Sequence, residues 1–334
     1  MVKLLEVKNK SELIKYHLGN AKELSFVETL LNEQFDTIVD FMSYNTVEFE
    51  ARAKLFLEKT SQYIFISSAR VYAPNDDEIT EECPRLLDVC SDQKYCKSDE
   101  YALAKARQED ILVKSGKRNY TIIRPSITYN NNRLQYYLGE KNEWLYRYLN
   151  GKKIVMPNDC DRIYTTMSYG NDVAKAISLM VGNKNALGEL VHIAGAEAIT
   201  WKEVNKIYGS VLCKYYGYAP DYAYIDTWED LGRSLGRYYQ LKYARGISRR
   251  FNNRKLESIV GRMKFESPQK GLSNCLSAFI ENGYPVTCQW KTEAYFDRIT
   301  GDSMRGLSRK DFIKYCFARY TPYFAIMSRG RKSF

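Results

Sequence analysis

The sequence predicts an α/β protein with a doubly wound parallel sheet. Three observations lead there. Short β-branched and aromatic runs such as Tyr63-Ile64-Phe65-Ile66 and Tyr120-Thr121-Ile122-Ile123 read as buried strands of a parallel sheet. Over residues 1 to about 125 these runs alternate with helical stretches at the spacing of strand-helix-strand units. With 45% hydrophobic and 27% charged residues, a chain of 334 residues can bury a sizeable core, enough for one large domain or two interleaved lobes.

Taken in order, the first informative strand is Tyr63–Ile66. It ends in Ser67-Ser68, at the carboxyl edge where open α/β sheets bind ligands. An acidic loop from Pro74 to Asp99 follows and is expected to overhang that edge. Ser98-Asp99-Glu100-Tyr101-Ala102-Leu103-Ala104-Lys105-Ala106-Arg107 predicts a helix capped by Ser98, with Tyr101 and Lys105 on one face. The strand Tyr120–Ile123 then runs into Arg124-Pro125. Further on, Trp144–Leu149 predicts a helix ended by Gly151. The segment after Gly301 is basic and aromatic, and Arg329-Gly330-Arg331-Lys332 reads as a docking or frayed tail.

Ser68, Tyr101 and Lys105 form a candidate catalytic set. A phenol is a poor base near neutrality, and a neighbouring ammonium favours the phenolate, as general acid/base work on a sugar hydroxyl or ketone requires. Ser68 can donate a hydrogen bond to the oxygen whose charge changes. Spacing alone says little, because 28 tyrosines also place Tyr137 before Lys141, Tyr148 before Lys152 and Tyr238 before Lys242. Only Tyr101 joins a helix to a preceding strand that ends in serine and a following strand that ends in Arg-Pro.

Other features narrow the function. No stretch has the length and apolarity of a membrane span, the first residues lack the apolar core of a signal peptide, and the chain reads as cytoplasmic. Eight scattered cysteines without a Cys-x-x-Cys pair, and only His17 and His192, argue for reduced thiols and against a zinc site. The formal charge of +10 is concentrated between Leu231 and Lys270, where eleven Lys/Arg face only Glu257 and Glu266. That segment could hold a diphosphate, form a solvated basic face, or track a nucleic-acid backbone, in falling order of weight for the last.

The motifs in register resemble an extended short-chain dehydrogenase/reductase of the NAD-dependent epimerase/dehydratase family, which includes UDP-galactose 4-epimerase and the nucleotide-sugar dehydratases. Phe35–Phe41 resembles the family's fourth strand, Ile66–Tyr72 its serine segment, and Arg124-Pro125-Ser126-Ile127-Thr128-Tyr129 its Arg-Pro turn. Asn171–Ala176 resembles its second Asp-Val-Ala helix start and Leu190–Gly195 its late strand. The match runs from about Lys15 to about Ile207.

The resemblance implies a Rossmann-like cofactor lobe over 1–125, a substrate lobe over 126–300 and a tail over 301–334. It implies NAD or NADP as cofactor, with Asn20, Phe41, Ser43 and Pro125 near it alongside Tyr101 and Lys105. It implies a nucleotide-sugar substrate with Arg133 and Arg162 as candidate contacts, since Thr165 stands where the family often has an arginine. A homodimer through the helix carrying Tyr101 is also implied. Ala69-Arg70 stands where dehydratases place a carboxylate pair, which favours epimerisation or ketone reduction.

The front departs from the pattern. No Gly-x-x-Gly-x-x-Gly turn occurs; Gly19 is the only glycine before Gly116, and Gly19-Asn20 resembles the end of the third strand. Val2–Val7 would then be the second strand, with the first strand and helix lacking. A fragment or late start of an enzyme, a relative that lost its cofactor, and a front half of other origin all fit. An RNA-binding or structural relative is therefore the alternative, although no aromatic-rich RNA motif is present.

Overall fold

The computed structural model describes residues 11–321. The expected opening strand at Val2–Val7 and the Arg329–Lys332 tail lie outside these residues.

Four strands, β1 (Phe35–Asp40), β2 (Thr60–Ile66), β3 (Tyr120–Pro125) and β7 (Glu189–Ile193), lie side by side in that order and all run parallel. Alternate residues of β2 feed the two faces of this sheet, as the two-residue period of a strand dictates. Tyr63 and Phe65 pack with Phe49 and Phe56 of the helix Thr46–Glu58, whereas Ile64 packs with Val173, Ile177 and Met180 of the helix Gly170–Met180 and with Leu256. Among the described residues β1 pairs on one side only. Gly19 and Asn20 end no strand, because residues 11–20 are irregular; Asn20 instead caps a turn, accepting from the Lys22 amide and bonding Glu23.

The second lobe is built around β4 (Ile127–Tyr129), β6 (Tyr164–Tyr169) and β8 (Ala198–Thr200), with β5 (Ile154–Pro157) and β9 (Tyr222–Ile225) as a separate parallel pair. Its core joins Trp144 and Tyr148 to Trp201 and Tyr208 and to Leu272, Leu276, Tyr295 and Phe296. The expected linear division after residue 125 is not the division in space. β7 and the helices Gly170–Met180 and Arg254–Val260 return to the first sheet, since a parallel neighbour for β3 must be reached by a crossover.

After Gly301 the chain forms one more helix before the last described position. The helix Arg309–Tyr320 docks on Trp290–Thr300, where the Tyr315 hydroxyl donates to Asp297 at 2.7 Å. Asp297, Glu293 and Asp302 in turn hold Arg147, whose side chain is 1% exposed. No helix among the described residues is long and apolar enough to cross a membrane.

Candidate functional site

A cavity of about 630 Å³ opens at the carboxyl edge of β2 and β3. Phe41, Ser67, Ser68, Tyr101 and Pro125 line it from the first lobe, and Thr128, Arg133, Gln135, Thr165 and Arg245 from the second. The sequence makes this edge in two steps. β2 stops at Ile66, and Ser68 starts a single 3₁₀ turn, its hydroxyl oxygen accepting from the Arg70 amide at 3.2 Å. The Ser68 proton is thereby left for an acceptor in the cavity. Tyr101 is the first residue of the helix Tyr101–Lys114 and is 40% exposed, its ring open to the same space.

Ser98 does not cap this helix. Its hydroxyl donates to the Tyr95 carbonyl at 2.6 Å, while Glu100 caps, its carboxylate accepting from the Ala102 amide at 2.9 Å. Lys105, one turn on, is 3% exposed beneath the cavity floor. Its ammonium donates to the Ile66 carbonyl at 2.8 Å and lies 4.5 Å from the centre of the Phe65 ring. Burial pulls its pKa down to about 8, opposed by the charges of Asp40 and Glu109.

A buried network that no local motif announces holds these parts together. Glu109, on the Tyr101 helix, accepts from Ser67 Oγ at 2.6 Å and from Arg124 Nε and Nη2 at 2.8 and 2.6 Å. It thus ties the helix, the serine segment and the Arg-Pro turn to one carboxylate.

The model for the NAD dependent epimerase/dehydratase family matches residues 17–194, more than half of the chain. The chain belongs to the NAD-dependent epimerase/dehydratase family. Among curated relatives of this family member, chloroplast stem-loop binding protein of 41 kDa b from Arabidopsis thaliana is 29% identical over 198 residues, 59% of this chain and 48% of that protein. The chain therefore spans about half the length of that relative.

Solved structures similar to this family member share its fold at low identity. UDP-glucuronic acid 4-epimerase from Bacillus cereus, in complex with UDP-glucuronic acid and NAD, is 16% identical over 72% of this chain and 68% of that one, with a TM-score of 0.54. The dTDP-glucose 4,6-dehydratase from Bacillus anthracis, in complex with NAD, is 17% identical over 79% of each chain, with a TM-score of 0.59. WbmH from Bordetella bronchiseptica, in complex with NAD⁺, is 15% identical over 84% of this chain and 89% of that one, again with a TM-score of 0.59.

Within this member of the epimerase/dehydratase family, the structure brings Phe41, Ser68, Tyr101, Pro125 and Arg133 to one cavity, with Lys105 beneath it. It does not bring Asn20, Ser43 or Arg162 there: all three are exposed, and Arg162 closes the 3₁₀ turn Asn158–Asp161. The acidic loop does not line the cavity either. It is drawn sideways by Tyr95, which is fully buried against Tyr239 and Tyr243, and by Ile79, whose amide donates to the Arg250 carbonyl.

Several cations of the basic segment have partners within the chain, some of them at the surface. Arg237 pairs with Glu143, Arg233 with Asp230, Lys242 with Asp92, Lys255 with Glu189 and Lys270 with Glu266, while Arg250 covers the Tyr164 ring. Sequence reasoning missed Glu109 and Gln135 as parts of the site or its support, whereas Arg245 and Arg249, which line the cavity, belong to the basic segment expected to be able to hold a diphosphate. Only the register of β2, β3 and the helix between them could have pointed to Glu109. Among the described residues no His/Cys/Asp/Glu group could hold a metal, and all eight cysteines are free.

Proposed function

We propose that the chain is an NAD(P)-dependent nucleotide-sugar epimerase or reductase of the epimerase/dehydratase family. The observation that carries this reading is the convergence of Ser68 and Tyr101 on one cavity at the carboxyl edge of the sheet, with Lys105 buried below them.

The residues fit the nicotinamide-ribose half of the cofactor. Phe41 and Pro125 give the cavity apolar walls, Ser67 and Ser68 polar ones, and Lys105 keeps ammonium protons beyond the one given to Ile66. For the pyrophosphate half no glycine cradle exists among the described residues. A Cβ on Gly19 would collide with the Phe26 ring at 2.2 Å, so that glycine serves close packing and not ligand approach.

When bound, a nicotinamide cofactor supplies the hydride acceptor and donor. This chain's own residues handle the proton. Tyr101 takes a hydroxyl proton from the sugar and returns it, and Ser68 donates to the same oxygen. Among the described residues no carboxylate lines the cavity, which favours epimerisation or ketone reduction over elimination.

Titration with NAD⁺ and NADPH, followed by calorimetry and by the melting temperature, tests the reading, since a ligand of the folded state must stabilise it. Micromolar binding that Lys105→Met weakens is the expected result. A folded chain that binds neither cofactor would exclude the enzyme reading and leave the RNA-binding or structural alternative.

A further inference from the structure

The helix Arg309–Tyr320 turns its apolar face away from the protein. Its packed side is narrow: Tyr315 and Ala318 are buried, and Arg319 donates to the Tyr315 hydroxyl at 2.7 Å and to the Asp302 carbonyl. The opposite side carries Phe312, Ile313, Phe317 and Tyr320, which are 50%, 61%, 47% and 74% exposed. At 3.6 residues per turn, Ile313, Phe317 and Tyr320 share one row and Phe312 and Cys316 the next, so the five form one stripe. In a helix that served only the fold, such a stripe would face the core. Single exposed apolar residues are ordinary, whereas a contiguous patch rimmed by polar groups marks a contact.

The charge around the stripe selects the contact. Arg309, Lys310 and Lys314 are exposed beside it, and among the described residues none of the three has an ion-pair partner; Lys314 leans over the Trp290 ring. Asp311 is the only acid of the helix, and it is held by Ser308 at the helix start. From residue 312 to 334 the sequence has five cations, Lys314, Arg319, Arg329, Arg331 and Lys332, no acidic residue, and an apolar, aromatic run over 322–327. A second copy of this face, or the chain's own residues 322–334 as its occupant, would set cations against cations. A polyanion such as RNA would need the cations at the centre, where Ile313 stands instead. An apolar stripe edged by unpaired cations matches a bilayer surface, which takes apolar side chains between its headgroups and, where these are anionic, attracts Lys and Arg.

We infer that the helix Arg309–Tyr320 is an interfacial anchor for a bilayer surface that contains anionic lipid, with Ile313, Phe317 and Tyr320 among the headgroups and Lys310 and Lys314 at the phosphates. The helix packs on the Arg147 network and lines no part of the cavity, so anchoring leaves the residues of that site untouched. The inference does not depend on the nucleotide-sugar reading.

Flotation of the full chain with vesicles of phosphatidylcholine alone, and of equal parts of phosphatidylcholine and phosphatidylserine, tests it. The wild type is expected to bind the mixed vesicles about tenfold or more tightly than the neutral ones, and to be released by salt. Ile313→Asn combined with Phe317→Ser should weaken that binding about tenfold or more, at an unchanged melting temperature because both side chains are exposed. Lys310→Gln combined with Lys314→Gln should lower the affinity for mixed vesicles about tenfold and leave that for neutral ones in place.

A wild type that binds neither kind of vesicle overturns the anchor, as does equal affinity for the two, or an apolar variant that floats like the wild type. It is also overturned if the wild type ignores vesicles but binds a stem-loop RNA, or dimerises in sedimentation, through Ile313 and Phe317. Should the apolar variant fail to fold, the lysine variant and the salt dependence decide.

Discussion

Glu109 grips Arg124 through two hydrogen bonds, 2.8 and 2.6 Å long, in a place where the two side chains are 1% and 3% exposed. The pair is shared between the helix of Tyr101 and the end of β3, and the same carboxylate fixes Ser67. Removing one partner of such a pair leaves a buried charge alone. Glu109→Ala should therefore cost about 3–5 kcal/mol, while replacing both residues by apolar side chains of similar volume should recover most of that loss. Urea unfolding followed by circular dichroism checks both. A single variant within about 0.5 kcal/mol of wild type, the range of ordinary surface changes, would refute the role given to the pair.

Tyr101→Phe deletes one oxygen from a half-exposed ring and leaves its contact with Arg70 in place. On the proposed function, turnover should fall about 10²–10⁴-fold, the usual contribution of a general acid/base, with the melting temperature unchanged. A steady-state assay with the nucleotide sugar that binds best, paired with a thermal scan, measures the two quantities. Undiminished turnover would remove Tyr101 from the chemistry.

The parts of the fold set by local pattern were legible. Tyr63–Ile66 and Tyr120–Ile123 alternate residues between two covered faces, and the Tyr101 helix follows from a run of good helix formers. Local competition for hydrogen bonds was not legible: Ser98 looks like a cap, but its hydroxyl goes to Tyr95, and Glu100 takes the vacant amide. Nor were partners distant in sequence. Nothing near Arg237 foretells Glu143, and nothing near Arg124 foretells Glu109, because those contacts exist only once the sheet and the crossovers are assembled. The positive segment therefore showed its charge in the sequence but not its partners, of which Glu143 and Glu189 lie far away in the chain.

Lys105 gives stability a pH dependence of known sign. Its pKa falls from 10.5 to about 8 on folding, so between these values the unfolded chain holds more protons than the folded one, and this group makes stability rise with pH. Below pH 8 both states are charged and the whole cost of burial is present. Lys105→Met should thus be more stable than wild type at pH 7, by up to about 3 kcal/mol on the scale of 1.36 kcal/mol per unit of pKa. Its stability should also lack the rise between pH 8 and 10.5. Denaturant midpoints across that range decide, and parallel curves for the two proteins would contradict the assignment.

Two buried groups act on the acid side with opposite signs. His192 is fully buried, with Nε2 against the Asn252 carbonyl at 2.8 Å and Nδ1 against the Tyr72 hydroxyl at 3.2 Å, and burial lowers its pKa from 6.5 to about 4. The unfolded chain protonates it first, so this group costs stability as pH falls from 6.5 to 4. Glu293 lies in the Arg147 network, where Asp297 takes most of the cationic hydrogen bonds and Oε1 of Glu293 has none; burial raises its pKa from 4.5 to about 7. The folded chain then holds the extra proton, and this group adds stability as pH falls from 7 to 4.5. The two shifts are of similar size, so their effects offset where the windows overlap, and only single variants expose them. His192→Gln should leave a protein whose stability falls as pH rises from 4.5 to 7, and Glu293→Gln one whose stability rises from pH 4 to 6.5. Melting temperatures of both variants at half-unit pH steps test this, and slopes of the same sign in the two would show that one of the groups is not titrating as its surroundings require.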